Sequence, residues 1–357
     1  MNLDNKNQYE KLDKGQVAKS IEFLPDQFRQ VLEEARLIKI PKEYSKATQI
    51  IVNGMGGSNI GTYIIRTALS DQIKAPISII PGYSVPASVD KNTLYVISSY
   101  SGTTEEPLSV YREVKKRGAK IMAITENSPK SKLMKLMLKN DIPGYVFKPQ
   151  YNPSGQPRLG LGYTIFGIAV MLAKAGFFKI KVRAIEDIIA SMEIWTRKLN
   201  PLSPKTQNNA KKITLELFDK IPVLVGAEHI TGNLHAMRNH INECSKTFAA
   251  YLTLPDLNHY AMEGLINPKS NKKNLAFLFF DSNLYDKRVQ KRSDLTKQIV
   301  KKNGIKVISH KLQSKTRLAQ AFELLQLGSW ISYYLGISYK VDPAKIPYVD
   351  WFKKQLK

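Results

Sequence analysis

The run Leu94-Tyr95-Val96-Ile97 continues without a break into Ser98-Ser99-Tyr100-Ser101-Gly102-Thr103-Thr104-Glu105-Glu106. Four apolar residues in a row suit a strand covered on both faces, as in a parallel sheet. The charged stretch from Glu105 to Arg117 is helix-forming, so the hydroxyls and the glycine occupy a strand-to-helix turn. The first turn of a helix has unbonded N–H groups and partial positive charge, and it attracts anions, phosphate above all. Ser99, Ser101 and Thr104 add side-chain donors at the same point. The structural alternative is a capping box, with Thr103 as the cap and Glu106 reaching back.

A second loop upstream has the same placing. Asn53-Gly54-Met55-Gly56-Gly57-Ser58-Asn59-Ile60-Gly61 follows the apolar strand Ile50-Ile51-Val52. Glycines between a strand and a helix let backbone amides approach a bound anion. A dinucleotide fingerprint fails here, because Asn59 stands where its third glycine belongs. The next strand, Ile77-Ser78-Ile79-Ile80, ends in Pro81-Gly82-Tyr83 with no acid for a ribose hydroxyl. A triphosphate-binding loop fails too, for want of Gly-Lys-Ser/Thr. Two such loops at successive strand ends suggest a phosphorylated small molecule without a base.

Short apolar runs alternating with amphipathic ones indicate an α/β fold with parallel sheets flanked by helices. Strands are expected at 50–53, 77–80, 94–98, 121–125 and 145–147, and helices at 59–70, 105–117 and 131–139. Residues 150–158 read as a loop before an apolar helix from Leu159. A second round from Pro201 gives strands at 222–226, 275–281 and 305–310, with helices at 233–245, 287–302 and 317–335. The shared rhythm predicts two pseudo-duplicated domains, 46–180 and 181–340. They are preceded by an N-terminal arm, 1–45, with one helix at 26–37. A tail, 341–357, follows, with a short amphipathic helix.

The chain has 357 residues, enough for two cores, and 43% of them are hydrophobic, too many for a disordered protein. The one cysteine, Cys244, allows no internal disulfide, and the polar N-terminus has no apolar signal core. A cytoplasmic protein is expected. The apolar run from Leu159 to Ala173 is shorter than the roughly 20 residues a bilayer needs, so it reads as a core helix. The net charge of +24 admits nucleic-acid binding. However, the lysines are scattered, and no zinc-finger or RNP-type motif accompanies them, so a solvated basic surface is the expectation. No nucleic-acid or membrane partner is expected.

Arg238-Asn239-His240-Ile241-Asn242-Glu243-Cys244-Ser245-Lys246 ends a helix, and Leu254-Pro255-Asp256-Leu257-Asn258-His259-Tyr260 follows a proline-marked turn. Alone, the first is a charged helix end, with Cys244 as a small buried residue. The second holds either a core or capping histidine or an acid/base group. His229, His235, His240 and His310 lack a metal-ligand arrangement, and no metal site is expected.

Six pieces in order resemble the bifunctional phosphoglucose/phosphomannose isomerases, a branch of the sugar isomerase (SIS) domain superfamily. They are Gly54-Met-Gly-Gly-Ser58, Ser99-Tyr-Ser-Gly-Thr-Thr-Glu-Glu106, Gln156-Pro157-Arg158, Ile241-Asn-Glu-Cys-Ser-Lys246, Leu257-Asn258-His259 and Val349-Asp350-Trp351-Phe352-Lys353. The resemblance implies a phosphate cradle of Gly57, Ser58, Ser99, Ser101 and Thr104. It implies Glu243 as the catalytic base, Arg158 as the cation beside an enediolate, and His259 with Lys353 in opening the sugar ring. It implies a homodimer in which the histidine enters from the other subunit, and a tail that closes the site.

By this resemblance the activity is a cofactor-independent interconversion of glucose 6-phosphate and mannose 6-phosphate with fructose 6-phosphate. The alternatives are another sugar-phosphate isomerase or a non-catalytic SIS protein that binds sugar phosphate. Cys244, Tyr260-Ala261-Met262 and Trp351-Phe352 depart from the family's commoner residues. The rings of Trp351 and Phe352 are expected to anchor the tail.

Overall fold

The structure, a computed structural model, describes residues 2–356. The chain divides into two compact units, Phe23–Ala190 and Met1–Glu22 with Ser191–Lys357. The sequence reading draws its boundaries near 45, 180 and 340, whereas these units divide at 22/23 and 190/191.

In the unit Phe23–Ala190, five parallel strands form one sheet. They are β1 (Gln49–Asn53), β2 (Ile77–Ile79), β3 (Thr93–Ser98), β4 (Lys120–Glu126) and β5 (Gly144–Phe147), in the order β2-β1-β3-β4-β5. Every residue of β3 is buried, which is why its sequence is apolar without alternation. Ile51, Tyr95, Ile97 and Ala123 pack with Val110, Val114 and Leu133 in the core. The apolar run from Leu159 supplies the buried helix Leu161–Lys174, which packs on the helix Gly57–Ala68. The single helix expected over 105–117 is two short ones, Glu105–Ser109 and Tyr111–Lys116, parted at Val110.

In the other unit, β6 (Ile221–Ala227), β7 (Ala250–Leu254), β8 (Leu275–Asp281) and β9 (Lys306–Lys311) are parallel in the order β7-β6-β8-β9. This repeats the winding of the first four strands of the other sheet. The edge strand β7 was not expected from the sequence, and its residues are mostly half-buried. The helix Arg317–Ser338 is buried from Gln320 to Ser338.

Two helices missed in the polar N-terminus, Asn7–Leu12 and Val17–Glu22, pack on that buried helix. Tyr9 stacks on Tyr333 with centroids 6.0 Å apart, and the Asp13 carboxylate accepts from the Val17 and Ala18 N–H groups at 2.7 and 2.8 Å. Few apolar residues are involved, so local periodicity did not reveal these helices. The helices Val182–Leu199 and Asn209–Leu217 were missed as well. Among the described residues no helix is long and apolar enough to cross a membrane.

Candidate functional site

In a doubly wound sheet, ligands bind beyond the carboxyl ends of the strands where the winding reverses. In the sheet of Phe23–Ala190 that point lies between β1 and β3, and the two singled-out loops are the ones that leave it. Gly56, at φ 50, turns the first loop into the helix Gly57–Ala68. Ser58 is buried just inside that helix, and its hydroxyl oxygen accepts from the Tyr100 N–H at 2.8 Å. Ser98 donates to the Ser58 carbonyl at 2.8 Å, so the two loops are stitched together.

In the second loop Ser99 donates to the Thr104 hydroxyl at 3.0 Å, and Ser101 pairs with Thr103 at 3.0 Å. The capping box, the structural alternative for this loop, does not form. Thr104, one residue later than in that alternative, is the N-cap, and its side chain makes no capping bond. The reason is local: Gly102 turns at φ 65, and the Thr103 and Thr104 hydroxyls are engaged with serines instead. The hydroxyls therefore cluster at the strand ends, where an anion would sit.

Arg158 belongs to the same unit. The segment that carries it, the 3-10 turn Pro157–Leu159, lies directly against the glycine loop. A methyl group on Gly57 would come within 3.1 Å of the Arg158 backbone nitrogen. The guanidinium is buried, and its Nη1 donates to Gln156 Oε1 at 2.9 Å. The unit thus brings Gly57, Ser58, Ser99, Ser101, Thr104 and Arg158 together.

Glu243, His259 and Lys353 belong to the other unit. Glu243 sits in a π-helical turn, Ile241–Ser245, that ends the helix Thr231–His240. Such turns occur often at functional sites. Lys246 then adopts the left-handed conformation, φ 56, and its ammonium donates to the Asp342 carbonyl at 2.6 Å. The turn packs on the helix Arg317–Ser338, where Gly336 leaves room for the Cys244 carbonyl.

Glu243 shares an open cleft of about 540 Å³ with Arg238, Asn239, Asn242, Phe248 and Tyr251. Residues five apart on an α-helix point about 140° apart. Both side chains nevertheless line the cleft, which extends along the end of the helix to its π turn. Arg238 lies 5.4 Å from the Tyr251 ring centroid and bonds His235 Nδ1 at 3.1 Å. Sequence reading overlooked Arg238 as a cleft residue, and its five-residue spacing from Glu243 hid the relation. Cys244 is buried, as expected of a small apolar side chain.

His259 ends the 3-10 turn Asp256–His259 and is exposed, so it is not a core histidine. Lys353 lies on the tail helix Pro347–Gln355, none of whose residues is buried. The expected anchoring of the tail by its rings does not hold: Trp351 is 62% and Phe352 56% exposed. Among the described residues no cluster of His, Cys, Asp and Glu is placed to hold a metal ion.

The pattern of the bacterial phospho-glucose isomerase C-terminal SIS domain matches residues 206–356. A bifunctional phosphoglucose/phosphomannose isomerase from Caldicellulosiruptor bescii is 32% identical over 345 residues, covering 94% of this chain and 98% of that protein. The chain belongs to the bifunctional phosphoglucose/phosphomannose isomerase family. A second member, from Aquifex aeolicus, is 29% identical and covers 89% of this chain and 93% of its own length. A solved structure of a hypothetical protein from Thermus thermophilus superposes with a TM-score of 0.76 at 13% identity, over 98% of this chain and 92% of that one. At that identity the likeness concerns the fold alone. The residues matched by the bacterial phospho-glucose isomerase C-terminal SIS domain, 206–356, include Glu243, His259 and Lys353.

Proposed function

We propose that this chain interconverts glucose 6-phosphate and mannose 6-phosphate with fructose 6-phosphate, without a cofactor. The observation that carries this reading is the hydroxyl-lined pair of loops at the switch point of β1 and β3, with the Arg158 segment laid against Gly57. Family membership supports the same reaction class.

In this reading Gly57, Ser58, Ser99, Ser101 and Thr104 hold the phosphate, whose binding energy positions the distant reacting carbons. The Glu243 carboxylate takes the proton from C2 of the open-chain aldose and returns it to C1. An anionic cis-enediolate lies between the two steps, and Arg158 lowers its energy electrostatically. His259 and Lys353 serve ring opening by moving a proton to and from the ring oxygen. His259 acts in the other subunit of a homodimer. Its exposure, and that of the neighbouring Tyr260 (57%), support that assignment.

The test is a coupled assay with glucose, mannose and other hexose 6-phosphates, run on the parent chain and on a Ser99→Ala, Ser101→Ala double variant. Both named substrates turn over in the parent. The double variant loses about 1.5–3 kcal/mol of phosphate affinity for each charge-assisted hydrogen bond removed. Turnover of neither hexose phosphate by the parent chain would refute the reading. An unchanged KM in the double variant would remove this loop from phosphate recognition.

A further inference from the structure

We propose that Tyr100 and Asn152 are positioning residues for Arg158, tying the segment that carries the guanidinium to the phosphate loops. The proposal rests on the reading of Arg158 as the cation beside the enediolate.

Tyr100 stands between Ser99 and Ser101, and its two halves serve different segments. Its backbone belongs to the phosphate loop: the N–H donates to Ser58 Oγ at 2.8 Å, and the carbonyl accepts from the Glu126 N–H at 2.8 Å. Its ring leaves the loop. The side chain is buried, meets Phe147 edge-on at 5.1 Å, and fills the space over Gly160, where any methyl group would overlap the ring. Gly160 follows directly on the turn that carries Arg158.

The hydroxyl completes the tie. Asn152 Nδ2 donates to the Tyr100 hydroxyl at 3.0 Å and to the Gln156 carbonyl at 3.0 Å. The Gln156 side chain in turn accepts from Arg158 Nη1 at 2.9 Å. A carbonyl can only accept, so the Asn152 amide must face Gln156 with its nitrogen, and its orientation is fixed. Held this way, Asn152 Oδ1 is buried with no hydrogen-bond partner among the described residues. Turning the amide over would give up both bonds of the nitrogen, so the Tyr100 hydroxyl and the Gln156 carbonyl together set how Asn152 sits.

The general anchoring of the segment is handled elsewhere. Gln27, on the helix Leu24–Glu34, donates to the Tyr151 and Leu159 carbonyls at 3.0 and 2.9 Å and accepts from the Gly162 N–H at 2.9 Å. Gln27 therefore holds the flanks to the fold, while Tyr100 and Asn152 hold the middle to the phosphate loops. A cation that stabilises a transient oxyanion works only if it is already in place, and small misplacements are costly.

Tyr100→Phe removes only the hydroxyl, and Asn152→Asp replaces the donor with an acceptor of the same shape. Each should cut kcat about tenfold while KM stays near the parent's. The melting temperature stays near the parent's in Tyr100→Phe and falls in Asn152→Asp, which sets a buried carboxylate against the Gln156 carbonyl. Arg158→Met gives the reference: once the guanidinium is gone, adding Tyr100→Phe should lower the residual turnover no further. If Arg158→Met is impaired but Tyr100→Phe keeps kcat within about twofold of the parent, the tie is overturned and the role of Arg158 stands. A full further loss in the double variant overturns it too, because the hydroxyl then acts independently of the guanidinium. If Arg158→Met turns over normally, the reading of Arg158 falls and this proposal falls with it. Should Asn152→Asp fail to fold, Tyr100→Phe alone decides.

Discussion

Glu323 keeps a charge almost out of water, and how it does so sets a pH dependence. Burial works to raise its pKa. The neighbouring His310 ring, with the Ser314 and Gln313 donors, outweighs that and holds the carboxyl below its ordinary value of 4.5. The Gln313 and Ser314 N–H groups lie 2.8–3.1 Å from its oxygens. A carboxyl more acidic in the folded chain than in the unfolded one binds fewer protons when folded. Its stabilisation is therefore complete above pH 4.5 and is lost as pH falls through the folded value. Glu323→Gln should cost about 1–3 kcal/mol at pH 7, measured by urea unfolding, with the gap narrowing as the pH falls below 4.5. A gap of the same size at pH 7 and pH 3 would show that the carboxylate charge contributes nothing. Single residues of the site were legible to different degrees. Ser58, Ser99 and Ser101 stood out because hydroxyls after an apolar strand need few neighbours to be interpreted. Tyr100 and Asn152 did not, since an ordinary tyrosine and asparagine show their use only when loops 52 residues apart in sequence meet.

The element that carries Glu243 owes its shape to a neighbour. The π turn Ile241–Ser245 lies against the helix Arg317–Ser338 at Gly336, where a methyl group would come 2.6 Å from the Cys244 carbonyl oxygen. Helix propensity alone favours alanine over glycine by about 1 kcal/mol. Forcing a methyl into a packed contact typically costs about 1–3 kcal/mol. The clash should win, so Gly336→Ala should lower the melting temperature and push the turn aside, with kcat falling more than KM rises. A variant of higher stability and full turnover would show that the glycine does not set the position of Glu243. At this scale the sequence was informative where periodicity was strong. The helix 287–302 is found at the expected residues, and 317–335 continues only to Ser338. It was uninformative where packing decides. The edge strand β7 is half-buried and short, and the helices Asn7–Leu12 and Val17–Glu22 present few apolar residues of their own.

At the scale of the whole molecule, one winding is used twice, β2-β1-β3-β4 in one unit and β7-β6-β8-β9 in the other. The strand and helix rhythm of both halves made that duplication legible, although β7 itself was not. What differs between the copies is where each carries its chemistry: the hydroxyl loops leave the carboxyl ends of strands, whereas Glu243 ends a helix just before β7. One carries hydroxyl loops and Arg158, while the other carries Glu243 on a π turn beside an open cleft. The proposed isomerisation turns on Glu243 as the base that moves the C1–C2 proton. Glu243→Gln preserves size and hydrogen bonding while removing proton transfer. Steady-state turnover of this variant should be measured with glucose 6-phosphate and mannose 6-phosphate, beside its affinity for each by calorimetry. The predicted result is a loss of turnover of about 10²–10⁴-fold on both substrates, with affinity close to the parent's. Turnover near the parent's on either substrate would contradict the account.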